Sequence, residues 1–216
     1  MIQPTPIQQA PVEDELPLGR LNGFSDGVFA IAITLLVLEL GVEEGAHNHL
    51  LRSLLHEWPA YLAYITSFLT IGVVWLQHSE ITGALRTADA TLYRLNLLVL
   101  LLASFLPFPT RLASEFIGER DPERIAVVFY GLTLVALTLS LTAFIRYATE
   151  KPQLVKDSVE ARSMERALLR APSYVLYLMG IGVGLVLPTA GIGVYFASAL
   201  YRGLPAKTVH RLLWRR

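Results

Sequence analysis

The 216-residue chain has no cysteine, which removes disulfides, thiolate metal sites and cysteine nucleophiles from consideration. Charge is scarce as well. Asp, Glu, Lys and Arg make up 17% of the residues and apolar ones 53%, where a typical soluble domain is about 25% charged. There is no glycine-rich phosphate loop, and no basic stripe of the kind that tracks nucleic acid. A secretory signal is missing from the start: the first 19 residues, MIQPTPIQQAPVEDELPLG, have Pro, Gln and acids where a basic segment and an apolar core would stand. Residues 1–19 are therefore expected to be a disordered tail.

What the chain does have is long runs without a formal charge. Trp58 to Leu76 is 19 such residues, Leu95 to Thr110 is 16, Ile125 to Ile145 is 21 and Ala171 to Tyr201 is 31. A helix crosses the hydrocarbon core in about 20 residues, so the fold class is all-α and integral to a bilayer. The first span is placed at Arg20 to Gly41. The 31-residue run is too long for one upright crossing and is broken at LPTAGIG, Leu187 to Gly193, so it is read as two spans, Ala171 to Leu187 and Thr189 to Tyr201. The expectation is six spans within residues 20–203, a connector at 150–170 that includes a helix, and a basic tail at 204–216.

Lys and Arg gather on the cytoplasmic side of membrane proteins. With six spans and the N-terminus inside, 14 of the 18 basic residues fall inside. Five spans would put the five basic residues of the C-terminal tail outside, so the termini are both expected to be cytoplasmic.

The first span, RLNGFSDGVFAIAITLLVLEL from Arg20 to Leu40, keeps a carboxylate, Asp26, in apolar company. A central charge costs about 2.5–3.5 kcal/mol to insert and normally faces a partner inside the bundle. At 100° per residue, Ile31, Leu35 and Leu38 share one face with Thr34 beside it, while Asp26 falls about 140° from Ile31. Trp75 and His78 end the second span on the same membrane side as Asp26. Arg20 is placed either to pair with Asp26 or to lie over the Trp75 ring, and His78 to donate to the carboxylate, while Asn96 is another buried polar group that needs a partner. The charged connector reads as solvated. The histidines His47, His49 and His56 with Glu43 and Glu44 fit no familiar catalytic spacing.

The pattern Arg20, Phe24, Ser25, Asp26, continuing through Ala30, Thr34 and Leu38-Glu39, resembles the first-helix signature of the transmembrane protein 175 family. These are relatives of the endosomal and lysosomal potassium channel. WLQH at Trp75 to His78 and LNLLVLLLASFLPFPTRL at Leu95 to Leu112 are similar to that family's second and third helices. The resemblance implies a single-repeat subunit that forms a homotetramer in the plasma membrane of a prokaryote, and a central cation pore lined by the first helix. It also implies a constriction at Ile31 with further layers at Leu35 and Leu38, a potassium-preferring hydroxyl layer at Thr34, and a structural polar network of Arg20, Phe24, Ser25, Asp26, Trp75, His78 and Asn96. No catalytic residue, metal or cofactor is implied, potassium being the permeant ion. The alternative reading is a proton-coupled transporter or proton pathway using Asp26 and His78.

Overall fold

The computed structural model describes residues 17–41, 50–116, 120–156 and 173–203. Helix α1 covers Leu18–Leu35 and tightens into a 3-10 turn at Leu36–Glu39. There follow α2 at Leu50–His56, α3 at Trp58–Ala84, α4 at Ala90–Phe105, α5 at Pro107–Glu115 and α6 at Arg120–Thr149. After a 3-10 turn at Pro152–Leu154 come α7 at Ser173–Val186 and α8 at Pro188–Gly203. Among the described residues the one strand-like feature is an isolated bridge between Leu85 and Val155.

Four stretches are long and apolar enough to cross a bilayer: Leu18–Glu39, Trp58–Ala84, Ala90–Glu115 and Asp121–Thr149. The chain is a membrane protein. The third stretch is α4 and α5 together. Pro107 has no N–H to continue the α4 ladder, so the chain bends at Leu106 and resumes when Thr110 N–H bonds Leu106 O at 3.2 Å. Helices α7 and α8 meet at Leu187–Pro188, where the sequence places its break. With 14 and 16 residues they extend about 21 and 24 Å, shorter than a hydrocarbon core of about 30 Å.

Helix α6 is the hub, packed against α4, α5, α7 and α8, while α1 lies on α3 and α4. Asp89 organises one end of this bundle. Its carboxylate caps α4 by accepting from Leu92 N–H at 2.8 Å and accepts from Tyr147 Oη of α6 at 2.6 Å. Beside it, Arg86 N–H bonds Leu154 O at 2.7 Å and Lys156 N–H bonds Ala84 O at 3.0 Å. Lys156 Nζ adds a bond to Gly83 O at 2.7 Å, satisfying a carbonyl at the end of α3. The described part of the connector, Glu150 to Lys156, is therefore a clip rather than the helix expected from its composition. Pro152 and these cross-chain bonds divert it, and residues 157–172 lie outside the described set.

Deep in the bundle, the hydroxyls of Ser67, Thr110 and Tyr130 are linked at 2.7 Å each, and Thr110 donates to Leu106 O at 2.8 Å. Each proton has an acceptor if Tyr130 donates to Ser67 and Ser67 to Thr110, so the chain of hydroxyls is fully satisfied. Arg202 ties α8 to three other helices, donating to Thr138 at 3.2 Å, Tyr177 at 3.3 Å and Gln77 at 3.0 Å.

The α7–α8 hairpin depends on close backbone approach, as small residues permit inside membranes. A Cβ on Gly191 would stand 2.7 Å from Gly184 Cα, whereas one on Gly193 meets nothing within 4 Å. Gly191→Ala is expected to lower stability by about 1–3 kcal/mol, the usual cost of overpacking, and Gly193→Ala to leave it unchanged. Thermal unfolding of the two variants in detergent reads the difference.

The candidate pore face and its polar anchor

Helix α1 buries one side and leaves the other open. Leu21, Ser25, Phe29, Ala32 and Leu36 are buried, spaced three and four apart as one face requires. On the opposite side Ile31 is 61% exposed, Leu35 41% and Leu38 73%. Residues of this size belong against a partner or lipid. The 3-10 turn changes the register of this face: at three residues per turn, side chains three apart eclipse. Leu38 is thereby brought over Leu35 instead of being offset by about 60°.

Thr34 is exposed beside Ile31. Its hydroxyl lies 3.0 Å from Ala30 O and 2.9 Å from Ile31 O, so its one proton is committed to the helix backbone. The oxygen lone pairs are left as acceptors on the open side, a suitable group for a cation and not for an anion.

The buried side is anchored by a directional chain. His78 Nε2 and Asn96 Oδ1 are 2.6 Å apart, Asn96 Nδ2 donates to Ser25 Oγ at 3.0 Å, and Ser25 Oγ donates to Leu21 O at 2.7 Å. Since Ser25 spends its proton on Leu21 and the Asn96 amide spends one on Ser25, His78 Nε2 is the donor to Asn96 Oδ1. All three side chains are buried, and they pin α1 to α3 and α4 at one depth. Aromatic contacts hold the imidazole: it stacks on Phe144 at 5.3 Å and meets the Phe29 ring edge-on at 5.5 Å.

Asp26 is held separately. Trp75 Nε1 donates to Oδ1 at 2.9 Å, and the residue stays exposed. No hydrogen bond joins Asp26 to His78 among the described residues. Next to the Asp26–Trp75 bond, α1 and α3 enclose a groove of about 330 Å³ lined by Phe29, Ala30, Ile33, Ile71, Gly72 and Trp75.

Of the residues the sequence proposes for a polar network, the structure brings together Ser25, Asn96 and His78, and separately Asp26 and Trp75. Arg20 and Phe24 take part in neither. Both are exposed, and the Arg20 side chain has no partner among the described residues. Eleven and seven residues before Ile31 respectively, they fall within about 20° of it, on its open face. That spacing is readable in the sequence, but the compactness of the motif hid it. The stacking partner Phe144 lies far along the chain, and nothing local signals it. Among the described residues no group of three or more His, Asp or Glu is placed to hold a metal. Glu43, Glu44, His47 and His49 lie outside the described set.

A family model described as "Endosomal/lysosomal potassium channel TMEM175" matches residues 20–107, which include α1, α3 and α4. A Streptomyces collinus protein named a potassium channel is 34% identical over 187 residues, 86% of this chain and 91% of that one. The chain belongs to the TMEM175 family. A crystal structure of a lysosomal potassium-selective channel TMEM175 homolog from Chamaesiphon minutus superposes with a TM-score of 0.76 at 32% identity, covering 86% of this chain and 95% of that one. The Gallus gallus endosomal/lysosomal proton channel TMEM175 is 37% identical over 121 residues, 52% of this chain and 24% of that one. TMEM175 proteins are channels, so this membrane chain is an ion channel and not an enzyme. The residues that pin α1 to α3 and α4 all lie within the matched segment.

Proposed function

We propose that the chain is a potassium-permeable cation channel of a prokaryotic plasma membrane. In this reading it has six spans within residues 20–203, cytoplasmic termini with tails at 1–19 and 204–216, and a homotetrameric pore lined by α1. The observation that carries this reading is the one-sidedness of α1. Its Ser25 face is bonded into the subunit, and its Ile31, Thr34, Leu35, Leu38 face is left open although it is aliphatic. A ring of four subunits turns that face inward. Four Ile31 side chains then form the constriction, with Leu35 and Leu38 as further layers.

A neck of this kind controls conduction by wetting: an ion crosses only when enough water accompanies it, because aliphatic groups cannot replace its hydration shell. Potassium sheds water more readily than sodium, so the discrimination is modest. Thr34 adds four oxygen acceptors next to the neck. Asp26 acts as a clamp on Trp75, off the conduction path. Thr34→Val, which keeps the shape and removes the oxygen, is expected to reduce the potassium-to-sodium permeability ratio about two- to fivefold, equivalent to about 0.4–1 kcal/mol. Bi-ionic reversal potentials measure it.

The name of the avian relative favours one second reading, a proton pathway. Potassium flux in liposomes at equal pH on both sides separates the two. The channel reading expects passive flux without a proton gradient, and flux only with a gradient would replace it by proton coupling through Asp26 and His78.

A further inference from the structure

Two surfaces flank the open face of α1. On one side lies the α1–α3 groove with Asp26 at its rim. On the other, α4 packs against α1 and presents Arg94, Leu97, Leu98 and Leu101 to the outside, all exposed. Spacings of three, four and seven put these four residues in one stripe. We propose that the Asp26 groove of one subunit receives the Arg94–Leu101 stripe of the next, and that Arg94 supplies the cation that Asp26 lacks within its own chain. This rests on the ring reading above and assigns its subunit seam.

A closed ring requires two different patches that complement each other, because its contacts are head to tail. The pore face must lie between those patches, and here it does. Depth also matches. Helices α1 and α4 run in the same direction, since Tyr93 Oη bonds Pro17 O at 2.7 Å and Asn96 bonds Ser25 at 3.0 Å. Counting from the bonded pair Ser25 and Asn96, Asp26 is one residue onward and Arg94 two residues back, a difference of about 4.5 Å along the helix. Rotation about an axis normal to the bilayer preserves depth, so the neighbour's Arg94 arrives within side-chain reach of Asp26.

Charge points the same way. Asp26 accepts one hydrogen bond, at Oδ1, and Arg94 has no partner among the described residues. Two unpaired charges facing hydrocarbon are costly, and joining them across the seam relieves both. Arg20 is the competing cation. It lies six residues before Asp26, about 9 Å in depth, and points along the Ile31 face.

The absence of native cysteine gives a direct test. Ala30 and Leu101 each lie five residues beyond the bonded pair, one in the groove and one on the stripe. Oxidising the Ala30→Cys/Leu101→Cys double variant in membranes is expected to give a covalent ladder that stops at four chains, and neither single variant should give one. A tetrameric native mass without a ladder would overturn the seam and leave the ring standing; a monomeric mass would overturn both. Arg94→Gln is expected to make the tetramer dissociate in detergent at about tenfold higher protein concentration, with Arg20→Gln unchanged. The reverse pattern would remove Arg94 from the seam.

Discussion

Replacing Ile31 with asparagine is expected to raise potassium flux about tenfold or more and to bring the sodium flux close to it. The substitution makes the neck both wider and polar, since asparagine is smaller than isoleucine and carries an amide in place of methyl groups. Four amides offer an ion and its water the hydrogen bonds that four aliphatic groups withhold. A tenfold rise needs the barrier to fall by only about 1.4 kcal/mol, well within what wetting one layer provides. Discrimination falls with it, because partial dehydration at the neck is what separates the two ions. The exposure of Ile31 makes the substitution tolerable to the subunit's own packing. Concentrative tracer uptake of both ions into liposomes measures it.

The second large effect is expected at Asn96. Asn96→Leu removes the middle of the chain that joins α3, α4 and α1, leaving the buried His78 Nε2–H without an acceptor and Ser25 Oγ without its donor. Single interhelical hydrogen bonds inside membranes average about 0.6 kcal/mol, but a buried donor left unsatisfied costs about 1–3 kcal/mol. The second term dominates. The Asn96 variant should therefore lose thermal stability in detergent and pass little folded protein to the membrane. Trp75→Phe, which frees a carboxylate already exposed to the outside, should cost less. Equal losses in the two variants would show that the buried chain is no more important than the peripheral bond.

Much of this architecture is legible in the sequence because its signals are periodic or local. The uncharged runs find α3, α4 with α5, and α6, and the LPTAGIG interruption finds the α7–α8 junction. Helical spacing alone separates Asp26 from Ile31. The exceptions have physical causes. The 3-10 turn at Leu36–Glu39 departs from the 100° step on which the stripe is counted, so the alignment of Leu38 over Leu35 emerges only from the backbone. Arg20 and Phe24 look like members of one motif with Ser25 and Asp26, yet Ser25 and Asp26 fall about 100° and 200° around the helix from Phe24, so its two turns do not put the whole motif on one side. The Glu150–Lys156 clip is fixed by partners about 70 residues away at the end of α3, and no local propensity carries that information.

The central claim is that the open side of α1 faces an ion path, and a thiol-accessibility scan along α1 tests it most directly, since the chain has no cysteine of its own. Single cysteines at Ile31, Thr34, Leu35 and Leu38, treated with a cationic methanethiosulfonate during potassium flux, are predicted to block conduction. Cysteines at Ala32 and Ile33 are predicted to leave it intact. Block at Ala32 and Ile33 with none at Ile31 and Thr34 would contradict the account, because the ion path would then run along the side of α1 that faces its own subunit.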